Sequence, residues 1–502
     1  MMDSFLYLLQ GFETALTWSN LLYCFIGVML GMVIGVLPGL GPVSGTALLI
    51  PLTFGMEPVS AIIMLSGIFY GAMYGGTITS VLVNVPGEAA SVITCIDGYE
   101  MTKQGRAGTA LGVAAIGSFI GGIVAVVALT FVGPVLSGVA IKFGPPEFFA
   151  IMLLGMTMIV ALMGKSLVRG LIAAFIGLLL AMVGQDMISG DQRFTFGSLQ
   201  LLDGIDFTIM AMGLFGISEI LLYAENPTKI KKTEKIKGLF PNRKEWGPTF
   251  KSIGRGTGIG MILGLIPGAN SIIASTFSYI VEKKVAKDPS RFGKGAIEGV
   301  AGPETANNAH IGAALIPLFS LGLPSSPTMA IILGAFIMHG LTPGPALFTQ
   351  SPDFVWGLIA SMFIGNILLL ILNVPLVGVW AKIALIPYKL LFPIILIVIL
   401  VGTYSLTHSL WDVGLMLVFG IIGYVLKKLD IPMAAIIVTF ILGSQLETSL
   451  LQSLSISSEG FLIFFKNPIS AVIMSIVIIV LAFSVYSGVK NKRGKLAADV
   501  EM

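Results

Sequence analysis

Apolar runs, separated by short clusters of charge, proline and glycine, recur along almost the whole chain. Six lie near residues 20–37, 58–75, 110–132, 147–164, 167–185 and 205–223. Five more follow at about 354–377, 384–404, 408–426, 430–446 and 468–488. Each approaches the roughly 20 residues that a helix needs to cross a bilayer. The pattern predicts an all-α polytopic membrane protein with roughly 10–12 spans plus hairpins. Ahead of the first run, Phe5, Leu6, Leu8, Leu9, Phe12 and Leu16 fit an amphipathic helix lying at the membrane surface.

The longest polar interval, AENPTKIKKTEKIKGLFPNRKEWGPTFK (224–251), is basic and divides the chain in two. The expected organisation is an N-terminal helix (1–19), a membrane repeat (20–223), a basic linker (224–251), a second repeat (252–450), a C-terminal span (451–490) and a tail (491–502). The lysines and arginines of the linker, of VEKKVAKDPSRFGKG (281–295) and of the tail KNKRGK place all three on the cytoplasmic side. Only 252–280 separates the first two, with Pro267-Gly268 in its middle. Each arm is about 20 Å of helix, too short to span. A re-entrant hairpin with a Pro-Gly tip at membrane depth is the expectation.

The glycines explain how such a hairpin could be held. GVMLGMVIGVLPGLGPVSG (27–45) carries Gly27, Gly31, Gly35 and Gly39, and breaks at Pro38-Gly39. GTGIGMILGLIPGANS (256–271) repeats the spacing with Gly256, Gly260, Gly264 and Gly268, and breaks at Pro267-Gly268. Glycines four apart make a flat helix face that another backbone can approach closely. Proline then removes a helical hydrogen bond and glycine admits φ values that other residues avoid. Each half has a second break downstream, VPGEAAS (85–91) and LPSSPT (323–328). Breaks at corresponding places in two halves point to a transporter binding site, and the expectation is a pair of homologous, inverted repeats.

Helix ends at membrane depth present unpaired N–H groups that suit an anion. The candidate substrate-binding residues are Pro38, Gly39, Gly41, Ser44, Pro86, Gly87, Ser91, Pro267, Gly268, Asn270, Ser271, Pro324, Ser325, Ser326 and Thr328. The candidate coupling-ion residues are Thr77, Thr79, Asn84, Glu304, Asn307 and Asn308, whose oxygens suit a hard cation such as Na⁺. Plainer roles compete: hydroxyls in membrane helices often bond the carbonyl one turn back, and Glu88 or Glu304 can cap a helix instead of holding a cation.

Composition narrows the function further. The 502 residues are 55% hydrophobic and 11% charged, against roughly 25% charged in soluble domains. The mean hydropathy is +0.95. A net charge of +3 gives no case for nucleic acid, and Cys24 and Cys95 in apolar stretches imply no disulfide. The N-terminus has no secretory signal pattern. His310, His339 and His408 are scattered, with no HExxH, no nucleophilic serine motif and no P-loop. An enzyme, or a chain that itself hydrolyses ATP, is therefore not expected, and energy must come from an ion gradient or another subunit. A passive pore stays open as the alternative.

GVLPGLGPVSGTALLIPLTFGMEP, YGGTITSVLVNVPGEAASVITCIDGYEM and GPETANNAHIGAALIPLFSLGLPSSPTMAIILGAF closely resemble the large membrane subunit of the tripartite tricarboxylate transporters (the TctA family). The resemblance implies a bacterial inner-membrane secondary transporter that works with a small membrane subunit and a periplasmic binding protein. It also implies uptake of citrate-like di- or tricarboxylates with Na⁺ or H⁺, by an elevator-like movement and without a cofactor. LPSSP departs from the LPG(S/T)-like form of the family at Ser325.

Overall fold

The computed structural model describes residues 2–37, 40–163, 166–186, 190–225, 236, 238–383, 386 and 388–500. Nine helices among the described residues are long and apolar enough to cross a membrane, and the described strands are one two-residue pair, Gly184–Gln185 with Gln192–Arg193. The chain is a polytopic all-α membrane protein. Two expected spans, near 167–185 and 384–404, fall on the 15-residue helix Leu167–Ala181 and the 20-residue helix Tyr388–Thr407.

The first half begins with α1 (Met2–Ala15) and α2 (Trp18–Val36). After Leu37, which is extended, the chain turns at Gly41 (φ +59°) into α3 (Gly41–Leu49). Gly45 lies against the Ile34 side chain, a contact that a continuing helix would put about 16 Å away. The run at 20–37, filled by α2, one of the nine helices long enough to cross, is thus also the outer arm of a hairpin, because the helix stops where its backbone can reverse. α4 (Pro58–Val83) starts beside α2, with Ser60 donating to Asn20 at 2.5 Å, and α5 (Val92–Lys103) follows the break after it. Four helices close the half: α6 (Ala107–Ala140), α7 (Pro145–Met163), α8 (Leu167–Ala181) and α9 (Phe207–Glu225).

The second half opens with the same design. α10 (Trp246–Gly264) and α11 (Ser271–Val285) form the expected hairpin, turning at Gly268 (φ +80°). Arg255 of α10 grips Glu282 of α11 through two bonds, at 2.7 and 2.5 Å, and ties the arms together. α12 (Glu298–Leu321) breaks before α13 (Pro327–Met338). α14 (Pro352–Ile383), α15 (Tyr388–Thr407), α16 (Leu410–Lys428), α17 (Met433–Ile456) and α18 (Pro468–Val500) complete the chain. The N-terminal helix does not lie free: Tyr7 stacks on Trp356 of α14 and Gly11 abuts the Trp356 carbonyl.

The glycine stripes are where the halves are built alike. A Cβ on Gly27, Gly31 or Gly35 would stand 2.1–2.3 Å from the carbonyl oxygens of Met64, Ile68 and Ala72 on α4. A Cβ on Gly256, Gly260 or Gly264 would stand 2.3–2.6 Å from those of Gly302, Ala306 and His310 on α12. The partners also step by four, so each hairpin's first arm lies parallel on the broken helix that follows it. The halves interlock at their ends. Asp97 of α5 accepts from Gly293, Gly295 and Ala296, beside the mouth of the second hairpin. Thr53, at the mouth of the first, lies 3.4 Å from His339 at the end of α13.

Substitutions on α10 separate contact from helix propensity. Gly260→Ala must push α10 off α12 and is expected to cost about 1–3 kcal/mol. Gly258→Ala, with nothing within 4 Å, should be neutral or slightly stabilising. Thermal unfolding of the two variants in detergent checks this, and equal midpoints would refute the backbone contact.

Candidate functional site

Both broken helices end in the left-handed conformation. Asn84 caps α4 with φ +57° and Gly322 caps α12 with φ +70°. The segment after Asn84 folds back on α4: Gly87 bonds the Gly76 carbonyl at 3.4 Å and packs on Gly35, and Gly76 leaves room for Glu88. Gly41 at the first hairpin tip faces the Gly87 carbonyl at 3.8 Å from where its Cβ would be. In the second half, α7 touches both elements, since Leu323 of the break packs on Gly155 and Gly268 of the tip on Met158. The first tip therefore sits at its own half's break, and the second tip and break share α7.

Beside the first break lies a buried polar cluster built from both halves. Glu304 of α12, 1% exposed, accepts from Thr77 of α4 at 2.7 Å and from Thr94 of α5. Glu88 accepts from the Ala90 amide at 2.6 Å and from Asn307 Nδ2 at 3.1 Å. Asn308 donates to Ser118 of α6 at 2.7 Å and to the Glu304 carbonyl at 3.1 Å. Among the described residues neither carboxylate has a cationic partner, and every donor is a hydroxyl or an amide. Asn307 Oδ1 and Ser325 Oγ are buried with no hydrogen-bond partner. A narrow cleft lined by Tyr74, Thr77, Ser118 and Asn373 adjoins the cluster.

The candidate residues sort accordingly. Thr77, Glu304, Asn307 and Asn308 converge in the cluster. Thr79 instead bonds the Gly76 carbonyl at 3.2 Å, and Asn84 is exposed at the helix end. Pro38 and Gly39 lie outside the described residues, while Ser44 and Thr328 are buried on α3 and α13. Pro86 and Gly87 form the first break, and Pro324 and buried Ser325 the second. Ser91 bonds Ser80 at 2.7 Å and the Glu88 carbonyl at 2.8 Å. Asn270 caps α11 by accepting from Ile273, and Ser326 caps α13 by accepting from Met329. Pro267 precedes the glycine turn, and Ser271 lies 3.2 Å from the His310 ring. Thr94 and Ser118 were not among the candidates, because nothing local marks a residue that pairs across the halves. No group of three or more His, Cys, Asp or Glu able to hold a metal occurs among the described residues.

Residues 21–438 match the Tripartite tricarboxylate transporter TctA family. The chain belongs to that family. It is 44% identical over 501 residues to an Agrobacterium vitis protein described as an uncharacterized 52.8 kDa protein in the TAR-I ttuC' 3' region, covering 99% of this chain and all of that one. It is 45% identical over 240 residues to another Agrobacterium vitis protein, from the TAR-II ttuC' 3' region, covering 48% of this chain and 99% of that one. No solved structure matches. Membership makes the chain a multi-pass membrane component of a transporter, and places the paired breaks in a protein that has a substrate to move.

Removal of one donor tests whether the cluster is a unit. Thr77→Val should destabilise by about 1–3 kcal/mol, as expected when a buried acceptor loses its partner. In a Glu304→Gln background the same change should cost measurably less. A double-mutant cycle by thermal or denaturant unfolding reads the difference, and strict additivity would sink the idea.

Proposed function

We propose that this chain is the large membrane subunit of a secondary transporter that imports citrate-like di- or tricarboxylates by cation symport. The cation is Na⁺ or H⁺, and the partners are a small membrane subunit and a periplasmic binding protein in the bacterial inner membrane. The reading is carried by one observation: each half pairs a glycine-turned hairpin with a broken helix, and a buried cluster shared by both halves lies at the first of the two breaks. The backbone amides at those breaks, with Ser44, Ser271, Ser325, Ser326 and Thr328 nearby, supply donors without fixed charge, which suits a carboxylate that must be released again. Thr77, Glu304, Asn307 and Asn308 supply the oxygens and carboxylate for the coupling cation, at a depth where unused polar groups are costly.

The end contacts support inverted repeats. The first hairpin's mouth meets the end of the second half's α13, and the second hairpin's mouth meets the first half's α5. The two hairpins then enter from opposite faces, as alternating access between two faces requires. An elevator-like movement would carry hairpins and broken helices together, since the glycine contacts join them backbone to backbone. A passive pore would need no buried carboxylates beside its breaks.

Citrate uptake into proteoliposomes holding the chain with its small subunit and binding protein should follow an inward Na⁺ or H⁺ gradient. Asn308→Ala, which removes the bonds to Ser118 and the Glu304 carbonyl, should lower uptake about 10-fold or more. Uptake of citrate or succinate that ignores every ion gradient would leave the pore reading instead.

A further inference from the structure

The backbones of the two hairpins pack alike, but their polar attachments differ. At the register where Gly264 meets His310, the first half has Gly35 meeting Ala72. The His310 side chain, 1% exposed, turns onto the second hairpin's tip. Its Nε2 is bonded to the Ala269 carbonyl oxygen, and its Nδ1 lies 3.2 Å from Ser271 Oγ. A neutral imidazole that donates from Nε2 and accepts the Ser271 hydroxyl at Nδ1 satisfies both. The arms behind that tip are held as well: Ser275 donates to the Pro303 carbonyl and Ser252 to the Glu298 carbonyl, both at 3.2 Å. Tyr279 donates to Asp97 at 2.9 Å. Alanine at position 72 can make no such bond to the first tip.

We infer that His310 is a positioning residue that fixes the second hairpin's tip as the standing wall of the substrate site, leaving the first hairpin as the part that opens. The role in substrate binding rests on the carboxylate-import reading above; the pinning of the tip does not. With the tip pinned, its amides are pre-aligned for the anion, and ordering them adds no cost at binding. The first tip, anchored by packing alone among the described residues, opens more often.

Hydrogen–deuterium exchange on the purified full-length protein reads the tips without relying on transport. Amides of 265–272 should exchange about 10-fold or more slowly than those of 40–46, the size expected for one or two hydrogen bonds. His310→Ala should abolish that protection at 265–272 and leave 40–46 unchanged. His310→Gln, which keeps a donor and an acceptor, should restore it, and His310→Leu, which only fills the space, should not. Equal exchange of the two tips in the unmodified protein overturns the inference even if the alanine variant fails to fold, as does rescue by leucine. In reconstituted citrate uptake, the alanine variant should raise KM about 10-fold with a smaller change in kcat, and glutamine should recover KM. A fall in kcat with KM unchanged overturns the positioning role. If citrate and succinate are not moved at all, the import reading fails alone, and the exchange data still decide the pin.

Discussion

A helix broken inside a membrane survives only if its freed backbone groups find partners, because the hydrocarbon offers none. Everything distinctive here depends on the way this chain meets that demand. Six glycines, three per half, hold one backbone directly on another, with the space of a single Cβ missing at each contact. At that distance the arm and the broken helix are one packed unit, and the turn at the end of the arm is delivered to the break beside it. Alanine at any of these positions would separate the helices and leave tip and break apart.

Holding the breaks together has a chemical consequence. It buries the polar residues of the first break, Glu88 among them, against the stretch of α12 that carries Glu304 and Asn307. Among the described residues Glu88 and Glu304 are bonded only by hydroxyls and amides, which soften the desolvation of a carboxylate but do not cancel its charge. The charged pairs lie elsewhere and do structural work: Arg255 with Glu282 across the hairpin arms, Arg106 with Glu245 and Lys428 with Glu225 at helix ends. Among the described residues, cations are used where the fold needs clamps and withheld from the two buried carboxylates. That division fits a centre whose charge balance is completed by something that comes and goes.

Features that repeat within a short stretch were legible in the sequence. The four-residue glycine spacing, the Pro-Gly tips and the basic loops bracketing 252–280 gave the second hairpin its shape. Of the first hairpin only the outer arm, 20–37, stands out as a run, because the return arm, α3, is short and apolar and has no basic loop to mark its side. Asn84 looked like a ligand because amides are scarce in apolar runs, yet its tolerance of a left-handed backbone fits it to end a helix, as Gly322 does in the other half. Thr94, Ser118 and His310 carried no local signal. Their partners are 210, 190 and about 40 residues away, and sequence spacing does not encode contacts made by folding two halves into each other.

His310 shows why that hidden layer matters. The two hairpins have like backbone packing through glycine, and equal hairpins would open with equal ease. A transporter needs them unequal at any instant, because a centre open on both faces is a leak. Backbone packing through glycine cannot supply the difference, since it is the shared element. Side chains that one half has and the other lacks can do so without disturbing the packing. His310 opposite Ala72 is such a difference, placed at the register where each stripe ends and each tip begins. The glycines make the two halves alike enough to interlock, and the histidine makes them different enough for one tip to stand while the other opens.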